Sequence, residues 1–258
     1  MNIHFYKYQG AGNDFVIIDN RDGSIQLTTG QVAFLCDRRF GIGADGLMLL
    51  QSLSGADFEM IYYNADGNES TMCGNGGRCI AAFANHLGIV TAEMNFKAID
   101  GMHQATILPF SVVSLHMQDV HSIQFEEGYT ILNTGSPHYV KNVADPAMVD
   151  VFKEGRAIRN EAIFQPKGIN VNFVSEDESG LKIRTYERGV EDETLACGTG
   201  VTAAAIASVK EATGTFNIPV KAMGGNLSVS FEKKTKDTAG HIILTGPATL
   251  VFEGNIAI

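Results

Sequence analysis

Two segments of this 258-residue chain share one short pattern. Cys73-Gly-Asn-Gly-Gly-Arg-Cys79 runs into Ile-Ala-Ala, and Cys197-Gly-Thr-Gly200 runs into Val-Thr-Ala-Ala-Ala. Each begins Cys-Gly-x-Gly, each leads into an Ala-rich stretch, and they lie nearly half a chain length apart. So long a period marks a duplicated domain and not a solenoid, whose repeats are far shorter. The Ala-rich stretches read as helices, so each cysteine stands at a helix start. Unpaired N–H groups and roughly half a positive charge gather there, which suits a carboxylate. The same field lowers a thiol pKa to anywhere from about 3.5 to 7.5, instead of about 8.5. One activated cysteine suggests covalent catalysis. Two on matched loops suggest one group on each side of a substrate, in a cleft shared by two lobes. Stereoinversion needs that arrangement: a thiolate removes an α-proton from one face and a thiol returns one to the other. Preorganised N–H donors gripping the carboxylate would contribute about 3–4 kcal/mol each as the carbanion forms.

Blander readings of the same residues stand beside this one. Free Cys is often an inert core residue, and tight helix starts favour small side chains. A zinc site fits less well, because Cys73 and Cys79 have five residues between them and no second ligand pair follows Cys197. Neither loop has the Lys-Ser/Thr of a phosphate loop. No Lys motif marks a pyridoxal Schiff base. A non-catalytic amino-acid binding protein could use the helix starts purely as a carboxylate clamp. His138, after Gly135-Ser-Pro137, reads as a structural histidine on sequence alone, as do the other six. Asn13 and Asn64 read as turn residues, Glu187 and Arg188 as an exposed ion pair, and Cys36 and Cys79 as structural.

The elements that must position these loops are mostly strands. Apolar, β-branched runs at residues 15–19, 58–63, 111–117, 130–133, 169–174, 227–231 and 241–244 are bounded by turn residues. Helical periodicity appears at 31–39, 78–87, 147–154 and 199–212. The fold class is therefore α+β. The repeat divides it into two similar lobes, 1–118 with the Cys73 loop and 119–249 with the Cys197 loop, and a strand at about 250–258 packs back on the first. Apolar residues make up 45% and charged residues 19%, as in globular proteins. The net charge of -10 opposes nucleic-acid binding. Neither a signal peptide nor a membrane span is expected, so cytoplasmic residence and reduced thiols are.

Further motifs complete the pattern: Gly10-Ala-Gly-Asn-Asp-Phe15, Tyr63-Asn-Ala-Asp-Gly67, Met72-Cys-Gly-Asn-Gly-Gly-Arg78, and Tyr186-Glu-Arg-Gly189 closing on Ala196-Cys-Gly-Thr-Gly200. In this order, over almost the whole chain, they resemble the diaminopimelate epimerase family. The resemblance implies two pseudo-symmetric lobes, each a mixed, mostly antiparallel sheet or barrel around a central helix. It implies a homodimer that converts LL-2,6-diaminopimelate to the meso form in lysine and peptidoglycan precursor biosynthesis, without metal, pyridoxal phosphate or other cofactor. Cys73 and Cys197 take the acid and base roles, with Cys197 the acceptor and Cys73 the donor from LL to meso. Gly74, Asn75, Gly198 and Thr199 fall where the reacting carboxylate binds. Asn13, Asn64, Asn170, Glu187 and Arg188 fall where the distal amino-acid head binds. His138 and Glu187 lie near the cysteines, to tune or orient them. Three departures bear on side-chain detail: Ser136 where some members carry Asn, Gly46 where others carry Gln, and one extra residue between Glu187 and Cys197. A racemase or epimerase of proline, hydroxyproline or histidine is the nearest rival.

Overall fold

The computed structural model describes all 258 residues. In chain order the elements are β1 (Asn2–Gly10), β2 (Asn13–Asp19), α1 (Thr29–Cys36), β3 (Gly46–Gln51), β4 (Phe58–Asn64), α2 (Gly74–His86), β5 (Glu93–Ala98), β6 (Gly101–Leu108) and β7 (Val112–His116). There follow β8 (Ile123–Glu126), β9 (Tyr129–Asn133), β10 (Pro137–Asn142), α3 (Val151–Arg159), β11 (Asn170–Asp177), β12 (Gly180–Glu187), β13 (Asp192–Thr194), α4 (Gly198–Ser208), β14 (Gly214–Ala222), β15 (Gly225–Thr235), β16 (Thr238–Pro247) and β17 (Thr249–Ala257). The architecture is α+β and dominated by strands. No helix is long and apolar enough to cross a membrane.

The chain forms two compact units, Met1–Leu115 with Gly246–Ile258, and His116–Thr245. In the first unit β1 pairs with β2 antiparallel, β2 with β3 parallel, β3 with β4 antiparallel, β4 with β5 parallel, and β5 with β6 and β6 with β7 antiparallel. β17 closes on β1 antiparallel, with a bulge between Lys7 and Tyr8. The second unit repeats the sequence of pairings. There β9 and β10 are antiparallel, β10 and β11 parallel, β11 and β12 antiparallel, β12 and β14 parallel, and β14, β15 and β16 antiparallel in turn. In each unit one helix, α2 or α4, stands between the strands of the second parallel pair.

Those two helices are the cores of their units. Ten of the thirteen residues of α2 are buried, as are nine of the eleven of α4. A helix enclosed on all sides needs small residues so that strands can approach from several directions, hence the Gly and Ala content. A methyl added at Gly76 would already touch Met48 and Phe15 at 3.5 Å. A second helix covers the outer sheet face. In the first unit α1 packs Val32, Leu35 and Cys36 against Ile3, Phe5, Val16, Ile18, Leu47 and Leu49. In the second, α3 brings Val151 onto Val171, Phe173 and Tyr186. Adjacent positions on β2 and β11 are therefore buried alike, since both faces of the strand are covered.

Local signals explain the element ends. Thr28 and Gln31 form a capping box at α1. Helical periodicity over 147–154 becomes two elements: Pro146–Met148 is a 3₁₀ turn capped by Asp145, and α3 begins afresh at Val151, where the Asp150 side chain accepts from Lys153 N–H. Two acidic caps five residues apart impose two starts. At the middle of α3, Gly155 lies against Tyr186, and an added Cβ would stand 2.4 Å from the tyrosine Cβ. Ala is favoured over Gly in a helix by about 1 kcal/mol, but overpacking costs about 1–3 kcal/mol, and here it meets a strand-borne atom that cannot swing away. Gly155→Ala is expected to lower the urea midpoint despite its better helix propensity; an unchanged or raised midpoint would show that α3 is free to shift off β12.

Candidate active site

In the first unit Cys73 is the N-cap of α2, with extended backbone at φ -96° and ψ 135°. Its carbonyl accepts from Gly77 N–H at 2.7 Å, and its side chain does not cap the first turn. Its sulfur lies 3.6 Å from Asn13 Oδ1, in the geometry of an S–H donor. The Asn13 amide is oriented by its other end, where Nδ2 donates to Asp45 Oδ2. Arg38 Nη2 in turn donates to Asp45 at 2.7 Å, and Arg38 grips Asp14 with two bonds of 2.9 and 2.7 Å. Burial pushes the Asp14 carboxyl up, but Arg38 and Lys7 outweigh it and hold the group well below the usual carboxylate range.

Beneath the same loop lies Arg78, fully buried. Its guanidinium donates to the Gly74 carbonyl at 3.2 Å and to Asn75 Oδ1 at 2.8 Å, while its Nε has no hydrogen-bond partner. With its Oδ1 occupied, Asn75 turns Nδ2 toward Asn13 Oδ1 at 3.4 Å. Burial lowers the Arg78 pKa. A buried guanidinium facing only carbonyl oxygens leaves its charge unneutralised, and that charge lies below the Cys73 loop.

In the second unit Cys197 is the N-cap of α4, also extended, at φ -109° and ψ 112°. Its carbonyl accepts from Val201 N–H at 2.8 Å. At the place of Arg78 stands Thr202, whose hydroxyl donates to the Gly198 carbonyl at 2.9 Å. The loops thus share a backbone and differ in charge. Cys197 Sγ lies 3.4 Å from Thr199 Oγ1, and Thr199 Oγ1 lies 2.9 Å from His138 Nε2. Thr134 anchors the loop by donating to the Thr199 carbonyl at 2.8 Å. His138 opens β10 beside Pro137 and is fully buried. Burial, and then the nearby Arg188 charge, push its pKa down to about 3.

A second cluster forms around Asn170. Its Nδ2 donates to Ser136 Oγ at 2.8 Å and to the Pro137 carbonyl at 3.0 Å, while its Oδ1 accepts from Arg188 N–H at 2.9 Å. Arg188 Nη2 reaches Ser136 Oγ at 3.3 Å. Glu187 Oε2 accepts from Thr194 Oγ1 at 2.9 Å, across the antiparallel β12–β13 pair.

Residues 5–109 and 130–251 match the family model described as Diaminopimelate epimerase. The chain belongs to the diaminopimelate epimerase family. Diaminopimelate epimerases of Flavobacterium psychrophilum and Chlorobaculum tepidum are 49% and 43% identical to it, over 97% and 96% of this chain and 99% of each relative. That of Aquifex aeolicus is 39% identical over 99% of this chain and 98% of its own. Membership makes the protein an epimerase, an enzyme of the isomerase class. The fold recurs in a Bacillus anthracis phenazine biosynthesis protein of the PhzF family, at TM-score 0.74, 16% identity and full coverage of both chains. It recurs in a probable proline racemase from Agrobacterium radiobacter, at TM-score 0.70 and 15% identity over 99% of this chain and 93% of that one.

Of the family-matched positions, the structure joins Asn13, Cys73 and Asn75 in one group, His138, Cys197 and Thr199 in another, and Asn170 with Arg188 in a third. Gly74 and Gly198 begin α2 and α4. Asn64 is exposed at the end of β4, where its backbone closes the turn to Gly67 and Asn68. Ser136 accepts from both Asn170 and Arg188. At Gly46 a Cβ would stand 2.5 Å from the Tyr62 ring and 2.7 Å from the Tyr63 carbonyl.

Sequence reading passed over Asp45, Arg78 and Asn172. For Asn172 a signal existed: two asparagines, Asn170 and Asn172, alternate in an apolar strand and so share a face. For Arg78 none did, as burial of an arginine is not written in its neighbours.

A neutral buried His138 has a pH signature. Its pKa falls on folding, so the unfolded chain binds the extra proton between about pH 6.5 and 3, and stability is lost as pH drops through that window. The slope from one such group reaches about 1.4 kcal/mol per pH unit. Urea unfolding at pH 7, 6 and 5 is expected to show a smaller acid loss in His138→Gln than in the native sequence; equal slopes would mean that His138 charges freely in the folded state.

Proposed function

We propose that the protein interconverts LL-2,6-diaminopimelate and meso-diaminopimelate by acid–base transfer between an α-carbon and two thiols, Cys73 and Cys197. The observation that carries this reading is the matched placement of the two cysteines, each the N-cap of the helix at the core of its unit. From LL to meso, the Cys197 thiolate takes the α-proton from one face and becomes a thiol. The Cys73 thiol gives its proton to the opposite face and becomes a thiolate. The substrate's electrons return to carbon, so atoms and charge balance and no oxidant enters. N–H groups at Gly74, Asn75, Gly198 and Thr199 receive the reacting carboxylate, whose charge rises as the carbanion forms. The unneutralised Arg78 charge favours the same anion.

Family membership supports diaminopimelate as substrate. Asn13, Asn64, Asn170, Glu187 and Arg188 are the proposed ligands of the distal head: the guanidinium pairs with its carboxylate, and amide and carboxylate oxygens accept from its ammonium. His138 and Glu187 orient and tune the thiols. Thiol chemistry of this kind suits the reducing cytoplasm, and a homodimer follows the family. The cysteines and their helix starts supply base, acid and anion site together, so the proposed reaction calls for no cofactor.

Incubation of LL-diaminopimelate in deuterated water tests the reading. The meso product is expected to carry deuterium at the inverted carbon alone. Cys73→Ser and Cys197→Ser are each expected to reduce turnover by about 10²–10⁴-fold, the range for loss of a general acid or base. Label entering proline and not diaminopimelate would overturn the substrate. Serine variants that invert at the native rate would overturn the thiol chemistry.

A further inference from the structure

His138 is a base or a donor according to which nitrogen holds its proton, and its neighbours settle which. Its Nδ1 lies 3.2 Å from Asn172 Nδ2. That amide cannot be turned round without loss. Asn172 Nδ2 also donates to the Tyr139 carbonyl at 3.0 Å, and Asn172 Oδ1 accepts from the Thr185 hydroxyl at 3.0 Å. Reversal would set an amide oxygen against a carbonyl oxygen and, in a side chain with no exposed surface, would leave polar atoms unpaired at about 1–3 kcal/mol apiece. With an N–H donor held against it, Nδ1 must be an acceptor, and the neutral ring carries its proton on Nε2. The low pKa of about 3 agrees with a ring that stays neutral. Nε2–H then donates to Thr199 Oγ1, and the Thr199 hydrogen is left to point elsewhere. Cys197 Sγ is 3.4 Å from that oxygen.

We infer that Asn172 is a positioning residue: by holding His138 in the Nε2–H tautomer it turns the Thr199 hydroxyl into a donor to Cys197 Sγ, and so favours the thiolate there. The chain Thr185, Asn172, His138, Thr199, Cys197 runs in one donor direction from the histidine to the sulfur. Packing fixes its origin. Gly200 of α4 lies so close that a Cβ would stand 2.5 Å from Asn172 Oδ1. The first unit has the opposite polarity, because Asp45 orients Asn13 so that an acceptor, Oδ1, faces Cys73. Hydrogen bonding thus serves Cys197 as a thiolate and Cys73 as a thiol, as inversion from LL to meso requires at the outset, while the Arg78 charge below Cys73 acts the other way. The part concerning catalysis rests on the two-thiol reading above; the tautomer and the sulfur's reactivity do not.

The test uses both. In the full-length protein labelled with ¹⁵N-histidine, long-range proton–nitrogen spectra, with His138→Gln to assign the signal, are expected to show His138 protonated at Nε2 and bare at Nδ1. The rate of thiol modification by methyl methanethiosulfonate, read residue by residue by mass spectrometry, is expected to fall about tenfold at Cys197 in Asn172→Ala, the loss of one hydrogen bond to a charged group. Cys73 is expected to react at its native rate. Thr185→Val, which frees the Asn172 amide to turn, is expected to lower Cys197 reactivity in the same direction and keeps the question open to test if Asn172→Ala does not fold. In epimerisation the same variants are expected to lower kcat with KM within about twofold. A native His138 protonated at Nδ1, or native Cys197 reactivity in both folded variants, overturns the inference. If the tautomer and reactivity behave as expected but the native protein inverts no diaminopimelate, the functional reading fails and the positioning role stands.

Discussion

A helix buried along nearly its whole length must still begin somewhere, and its first turn of N–H groups then lies in the interior with no partner from the helix itself. Most proteins put a Ser, Thr, Asp or Asn at that point to accept from them. Here the N-cap of both core helices is a cysteine whose side chain does not cap. The residue that starts each helix therefore leaves its first turn uncapped by its own side chain. The Gly and Ala content, the strands closing from several directions and the second helix over the outer face all follow from enclosing such a helix. Close contacts make Gly46, Gly155 and Gly200 intolerant of one added carbon.

The two cysteine loops share backbone geometry and differ in what surrounds them. Below Cys73 lies a buried guanidinium; at the equivalent place below Cys197 a threonine hydroxyl makes the same bond to the loop carbonyl. Beside Cys73 stands an amide oxygen, beside Cys197 a hydroxyl. Duplication of a fold gives symmetric backbone, and a symmetric pair of thiols would begin with no preference for which is charged. Divergence of the flanking side chains makes the two surroundings unequal.

These side-chain chains are also where the units are most polar inside. Asn172, His138, Thr185 and Thr202 in one, and Asn75 and Arg78 in the other, are buried. Almost every one of their polar atoms is matched, and the exception, Arg78 Nε, lies under the loop proposed to receive an anion. A satisfied polar network resists rotation of any single member, since turning one amide breaks its neighbours' bonds as well. Rigidity of that kind holds a sulfur and its partner at fixed distance.

Much was legible beforehand. The two Cys-Gly-x-Gly segments and their Ala-rich sequels located both core helices, because capping and helix propensity act between residues a few positions apart. Apolar, β-branched runs bounded by turn residues marked β2, β4, β7, β9, β11, β15 and β16 for the same reason, and the ordered motifs pointed to the family. Helix α3 was misplaced by a few residues, since its apolar period continued through the cap at Asp150. The polarity at each sulfur was not legible at all. Asn13 and Cys73 are 60 positions apart, and Thr199 and His138 are 61. Which atom of an amide or imidazole faces a thiol depends on the far end of that side chain, and on Asp45, Asn172 and Thr185, brought up by strand pairing. Local sequence determined where the cysteines and helix starts would be; only tertiary packing decided which sulfur meets a donor and which an acceptor, because hydrogen-bond direction is a property of the assembled network.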